Sequence, residues 1–148
     1  MKTKRIAGGL TGTLAILFLS FILMGMGGNN EGPKKIPTPE QNFSASIIDR
    51  AEVKTNVSMF SIDGFIYFFG QKGKGRMAVP FNKIKRADFR ENGNVLEVLL
   101  SLKDGQELSL AVNRDQQCFG KTDIGNFQVG LGDVKLILFE GKTPGGAN

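Results

Sequence analysis

The sequence predicts a mainly β protein: an N-terminal transmembrane or signal helix, then one antiparallel domain of two repeats. That domain is expected to be a β-sandwich or a pair of small, partly open barrels. Three observations predict this. A charge-free stretch runs from Ile6 to Gly28. Residues 75–89 and 125–139 align without a gap. The apolar residues of both segments alternate, the period of a strand with one buried face.

The chain divides accordingly into a basic cytoplasmic flank (1–5), an anchor or signal segment (6–28), a Pro-containing linker (29–43), a β domain (44–140) and a flexible tail (141–148). Lys2, Lys4 and Arg5 precede the apolar stretch. As a helix it would span roughly 34 Å, enough for a bilayer core. The positive flank argues for the N-terminus inside and the β domain across the membrane. A cleaved signal peptide shares these features, and Gly25 and Gly27 would suit a cut after Gly27. No cysteine directly follows, so a lipoprotein is excluded. Gly8 and Gly12 form a G-x-x-x-G spacing that would let a second helix approach; small residues are also common in membrane helices without that role. Three prolines and no apolar period make 29–43 read as an extended linker.

Within the domain, GRMAVPFNKIKRADF lies over GNFQVGLGDVKLILF at an offset of 50. Val79 matches Val129, Phe81 matches Leu131, Ile84 matches Val134 and Phe89 matches Phe139. Further back, Phe69-Gly70 falls on Phe119-Gly120. The two copies cover about 44–91 and 92–140. Gly75 and Gly125 each open a strand out of a turn. PFNKI and GLGDV then interrupt the alternation, which fits a tight turn or one 3₁₀ turn before a last strand. Asp104-Gly105 and Asn92-Gly93 lie between apolar runs and signal hairpins, since these residues tolerate positive φ. The hairpin from SASIIDR to VSMFSI lacks that signal. The count comes to about eight to ten short strands, with no helix after residue 30.

One pattern reads L-x-D-G, then G-x-x-x-x-G-x-h-x-h-x-h-x-x-h-K-x-h-x-F, where h is apolar. Leu102, Asp104, Gly105, Gly120, Gly125, Phe127, Val129, Leu131, Val134, Lys135, Ile137 and Phe139 carry it. It resembles small β-repeats of bacterial envelope proteins of unassigned function, over about 95 residues. The first copy departs from it in lacking the L-x-D-G turn. The resemblance implies a fold and a compartment: inner membrane, single-pass, with the domain periplasmic or extracellular, or secreted to the periplasm if the leader is cut. It implies no activity.

Composition removes several chemistries. There is no histidine, so triad catalysis, histidine-ligated metals and imidazole switching are out. One cysteine, Cys118, permits no intrachain disulfide and no structural zinc site. Cys118 aligns with Phe68, a core-like position. Asp88 with Glu91, and Asp104 with Glu107, are turn-flanking and read as solvated. The glycines of 70–75 are turn residues without the G-K-[ST] of a phosphate loop. The expectation is a non-enzyme with no catalytic residues, no cofactor and no metal.

Charge and aromaticity separate the copies. Lys72, Lys74, Arg76, Lys83, Lys85, Arg86 and Arg90 are opposed within their stretch only by Asp88. The equivalent stretch, 122–140, sets Lys135 against Asp123, Asp133 and Glu140. The functional reading is contact with an anionic partner, whether lipid headgroups, an acidic envelope polymer or an acidic protein. The structural reading is a lysine-rich strand edge that blocks edge-to-edge pairing. Nucleic acid is disfavoured, because no aromatic-plus-basic stacking motif is present. Phe65, Ile66, Tyr67, Phe68 and Phe69 are apolar on both faces, which fits a strand buried on both sides. Alternatively Phe65, Tyr67 and Phe69 form an exposed patch that docks a partner or the bilayer surface. The sequence thus points to a scaffold or accessory subunit of an envelope assembly with a protein partner. Its rival is a binding module for an anionic ligand.

Overall fold

The computed structural model describes residues 36–140. The expected flank, the anchor with Gly8 and Gly12, the linker up to residue 35 and the tail lie outside the described residues. Among the described residues no helix is long and apolar enough to cross a membrane.

Ten strands follow in order: β1 (Ala45–Asp49), β2 (Lys54–Ile62), β3 (Tyr67–Lys72), β4 (Gly75–Pro80), β5 (Ile84–Asn92), β6 (Val95–Leu102), β7 (Glu107–Val112), β8 (Gln117–Thr122), β9 (Gly125–Gly130) and β10 (Val134–Phe139). Single 3₁₀ turns, Phe81–Lys83 and Leu131–Asp133, sit where the alternation breaks in each copy. Each plugs one apolar residue, Phe81 or Leu131, into the core and redirects the chain. Between β6 and β7, Gly105 takes φ +91°, and the Asp104 carboxylate accepts the Gln106 N–H at 2.9 Å. Gly93, between β5 and β6, takes φ +62°. The β1–β2 connection, which has no Asp-Gly, is closed by Asp49. Its carboxylate accepts the N–H groups of Ala51 and Val53 at 2.8 and 3.0 Å.

The strands form one antiparallel ladder in the order β4-β3-β7-β6-β5-β10-β1-β2-β8-β9. Exchanging each strand for its counterpart in the other copy (β1 for β6, β2 for β7, and so on) only reverses this order. The copies are therefore related by a pseudo-twofold between β5 and β10. They also exchange strands: β3 of the first copy pairs with β7 of the second, and β8 with β2. This corrects the expectation of a sandwich or two barrels. Neither copy closes on itself, because its outer hairpin is hydrogen-bonded into the other.

The exchange needs close backbone approach. A Cβ on Gly70 would lie 2.8 Å from the Ala111 carbonyl oxygen, and one on Gly120 would lie 2.6 Å from the Val57 Cβ. Any larger residue would push these strands apart.

The sheet curls around one core, which holds Phe60, Phe68, Phe81 and Phe139 from both copies. The Phe81 ring lies 5.2 Å from Phe60, 5.6 Å from Phe68 and 4.9 Å from Phe139, tilted or edge-on. Such offset arrangements suit the ring quadrupoles. The last part of the expected linker packs on this core. Ile36 and Pro39 are buried, and Phe43 meets Phe81 edge-on at 5.6 Å. The Asn42 side chain accepts the Met59 N–H at 2.8 Å, and the Phe43 carbonyl accepts the Phe60 N–H at 2.9 Å. These bonds serve donors freed by a bulge in β2, where Met59 adopts φ +50°.

Candidate functional site

The β3–β4 hairpin differs most between the copies. It starts at a tight turn in which Ile62 and Phe65 exchange backbone hydrogen bonds, both 2.9 Å. Asp63 and Gly64 supply the positive φ values, +51° and +86°. The spacing argument leaves this turn out, although Asp63-Gly64 carries the same signal as Asp104-Gly105. Alignment on the repeat hides it, since the matching residues are Asn113 and Arg114.

Cross-strand pairs set the faces of the hairpin. Tyr67 opposes Pro80, Phe69 opposes Ala78 and Gln71 opposes Arg76. These residues share the outer face, away from the core, because Phe68 and Val79 between them are buried. Phe65 is 52% exposed and Phe69 45%, while Tyr67 is half-buried with its ring 5.2 Å from that of Phe65. The aromatic run is therefore not buried on both sides. Phe68 is buried in the core, and Ile66 packs against it. The reason is position: β3 lies next to the sheet edge, and among the described residues no layer covers its outer face.

The second copy is an internal control. At the positions of Phe65, Tyr67, Ala78 and Pro80 it has Asp115, Gln117, Gln128 and Gly130. It builds the same hairpin, so Phe65, Tyr67, Ala78 and Pro80 are not requirements of the fold, whereas Phe69 is kept as Phe119. Charge differs too. Residues 65–80 carry Lys72, Lys74 and Arg76 and no acid, whereas 115–130 carry Lys121 against Asp115 and Asp123. β4 is also an edge of the ladder, with one row of backbone groups unpaired.

The seven basic residues do not make one face. Lys74 lies in the hairpin turn, and Arg76 is on the outer face of β4. Lys72 and Lys83 line a cavity beside the hairpin. Lys85 sits at a bulge of β5, where register shifts between Ile84 and Arg86. The Arg86 guanidinium donates to both oxygens of Asp88 at 2.7 Å, and this bond raises its pKa above the ordinary value. Arg90 stands opposite Glu97 of β6. Three strands separate β4 from β5 in the ladder, so Arg76 and the β5 group are not hydrogen-bonded neighbours.

Cys118 is fully buried opposite Val129. Burial first, and then the nearby Asp63 carboxylate, push its thiol pKa well up. Lys135 pairs with Glu52, and Glu91 lies between Arg50 and Arg114 at 3.7 and 3.3 Å.

Fold and surface together define an internally duplicated, mainly β domain whose copies differ at one apolar, basic edge. A family model described as an uncharacterised protein matches residues 39–142, and the chain belongs to that family. No curated protein matches the sequence, and no solved structure matches it.

Proposed function

We propose that the protein is a non-enzymatic scaffold or accessory subunit of a bacterial envelope assembly. Residues 6–28 anchor it in the inner membrane, and the β domain stands in the periplasm or outside the cell. The setting rests on the apolar N-terminal stretch and on the resemblance carried by Leu102 to Phe139. The docking surface is the outer face of the β3–β4 hairpin.

One observation carries this reading. Phe65 and Tyr67 are replaced by Asp115 and Gln117 in a copy that folds the same way. Burying such exposed rings against a partner is worth about 25 cal/mol per Å² removed from water, and aromatic anchors dominate interface energies. The unpaired edge of β4 can take an added strand, and Lys72, Lys74 and Arg76 favour an acidic one. The occupant is thus an extended, acidic segment of a partner protein. An anionic polymer lying along all seven basic residues is the weaker reading, because Arg86 is already paired and the others are dispersed.

Photo-crosslinking in native membranes tests it. Benzoylphenylalanine at position 65 or 69 should trap one protein of defined mass, and at position 119, the second-copy equivalent of 69, it should trap none. Equal capture from 65 and 119, or a chain that stays free, would remove the proposal.

A further inference from the structure

The inner side of the same hairpin carries a separate feature. Lys72, Met77, Val79, Asn82, Lys83, Leu102, Lys103 and Leu108 line an open cavity of about 670 Å³, with Asp104, Gln106 and Glu107 at its rim. Its floor is the apolar inner face of the sheet. Met77 follows from its pairing with Gly70, and Leu102 and Leu108 pack against the core. Here the curl of the sheet leaves that face uncovered, and Met77 is 38% exposed.

The rim is basic. Lys72 comes from the end of β3, Lys83 from the 3₁₀ turn and Lys103 from the β6–β7 turn. The Lys103 N–H donates to the Lys83 carbonyl at 2.9 Å, tying those two segments together. Among the described residues none of the three lysines is in an ion pair. The fold does not demand Lys72 or Lys83, whose equivalents are Thr122 and Asp133. Lys103 corresponds to Arg50, whose N–H meets the Asp133 carbonyl as that of Lys103 meets Lys83.

We propose that this cavity binds a phosphate ester with a short apolar chain. The chain lies on Met77, Val79, Leu102 and Leu108, and the phosphate meets the ammonium groups of Lys72, Lys83 and Lys103. A volume of this size is typical of small-molecule sites, which pair an apolar lining with a few converging polar groups. A phosphate monoester offers three acceptor oxygens and nearly two negative charges, which suits three separate lysine donors better than a single carboxylate. The site is on the opposite face from Phe65, Tyr67 and Phe69, and it shares only Lys72 with the docking reading.

The test uses the full chain in phosphatidylcholine nanodiscs, with methyl-labelled methionine. Hexyl phosphate should shift the Met77 methyl resonance saturably and leave Met59, on β2, in place. Hexanol and inorganic phosphate should each bind at least tenfold more weakly. Replacing Lys72 and Lys83 by the residues of the other copy, as Lys72→Thr with Lys83→Asp, should weaken hexyl phosphate at least tenfold with the other methyl resonances unmoved. No saturable shift at Met77, equal binding of hexanol or inorganic phosphate, or an unweakened double variant would each overturn the proposal. Adding phosphatidic acid, a lipid phosphate monoester, to the discs separates the sources. A Met77 shift without hexyl phosphate identifies a membrane lipid, and its absence identifies a soluble ester.

Discussion

Ala87 of β5 pairs directly with Ile137 of β10, and these are the residues that the internal repeat equates. The pseudo-twofold axis therefore passes through that pair, with Asp88↔Leu136 and Arg86↔Leu138 disposed about it. Around this axis each copy lends its outer hairpin to the other. The first prediction follows. Residues 44–91 made alone should stay unfolded, because β3 and β4 lose β7 and β2 loses β8. Far-ultraviolet circular dichroism and amide exchange check it; a folded, protected half would refute the exchange of strands.

Gly70→Ala and Gly120→Ala should each destabilise the domain by about 1–3 kcal/mol, the usual cost of overpacking. Gly125→Ala is the control, since nothing lies within 4 Å of its added Cβ. It should be neutral or slightly stabilising, within about 1 kcal/mol. Urea titration of the three variants measures this.

The aromatic run should split by face. Phe68→Ala should cost about 3–5 kcal/mol, as for a fully buried phenylalanine. Phe65→Ser and Phe69→Ser should stay within about 0.5–1 kcal/mol, as surface changes do. Equal losses at 65 and 68 in thermal unfolding would mean that the outer face is covered.

Burial holds the Cys118 thiol neutral in the folded state, with its pKa above the ordinary 9.0. The sign follows from linkage. The contribution is fully present below that value and is lost as pH rises past it, because only the unfolded chain releases the proton. The slope reaches about 1.4 kcal/mol per pH unit. Cys118→Ala should lack this slope between pH 9 and 11, so parallel stability curves for the two proteins would count against the assignment. The buried thiol should also resist maleimide until the chain unfolds.

The mass of the mature N-terminus decides between anchor and leader. A start at Met1 or Lys2 is expected, whereas a start at Gly28 would make the domain a released one and discard helix pairing through Gly8 and Gly12.

Much of the fold was legible before the structure. The offset of 50, the alternation at 77–81 and 127–131 and the interruption at PFNKI and GLGDV place both copies' last strands and 3₁₀ turns. Residues 104–105 mark a hairpin because Asp and Gly report a local φ requirement. The strand exchange was not legible, since it depends on what Gly70 and Gly120 are pressed against far along the chain. Nor was the bulge at Met59, where a residue with no preference for positive φ is held by Asn42 and Phe43. Periodicity could not orient Phe65 to Phe69, because a run apolar at every position has no face until a layer covers one side. The basic stretch misled in the opposite way. Contiguous in sequence, it is divided by a turn, a 3₁₀ turn and a bulge into an outer edge, a cavity rim and an internal ion pair.

The pairing of Ala45 with Phe139 joins the first strand to the last. During synthesis β4-β3-β7-β6-β5 can pair once Val112 is made, but β1 waits for β10 and β2 waits for β8, so the ladder stays half-built until nearly all of the chain has been made. Long-range pairing of this kind is slow. Whatever handles the nascent polypeptide must therefore shield its phenylalanine-rich first half until the second arrives. A stop codon anywhere before Phe139 would then yield a sticky, degradable fragment and no working half-domain.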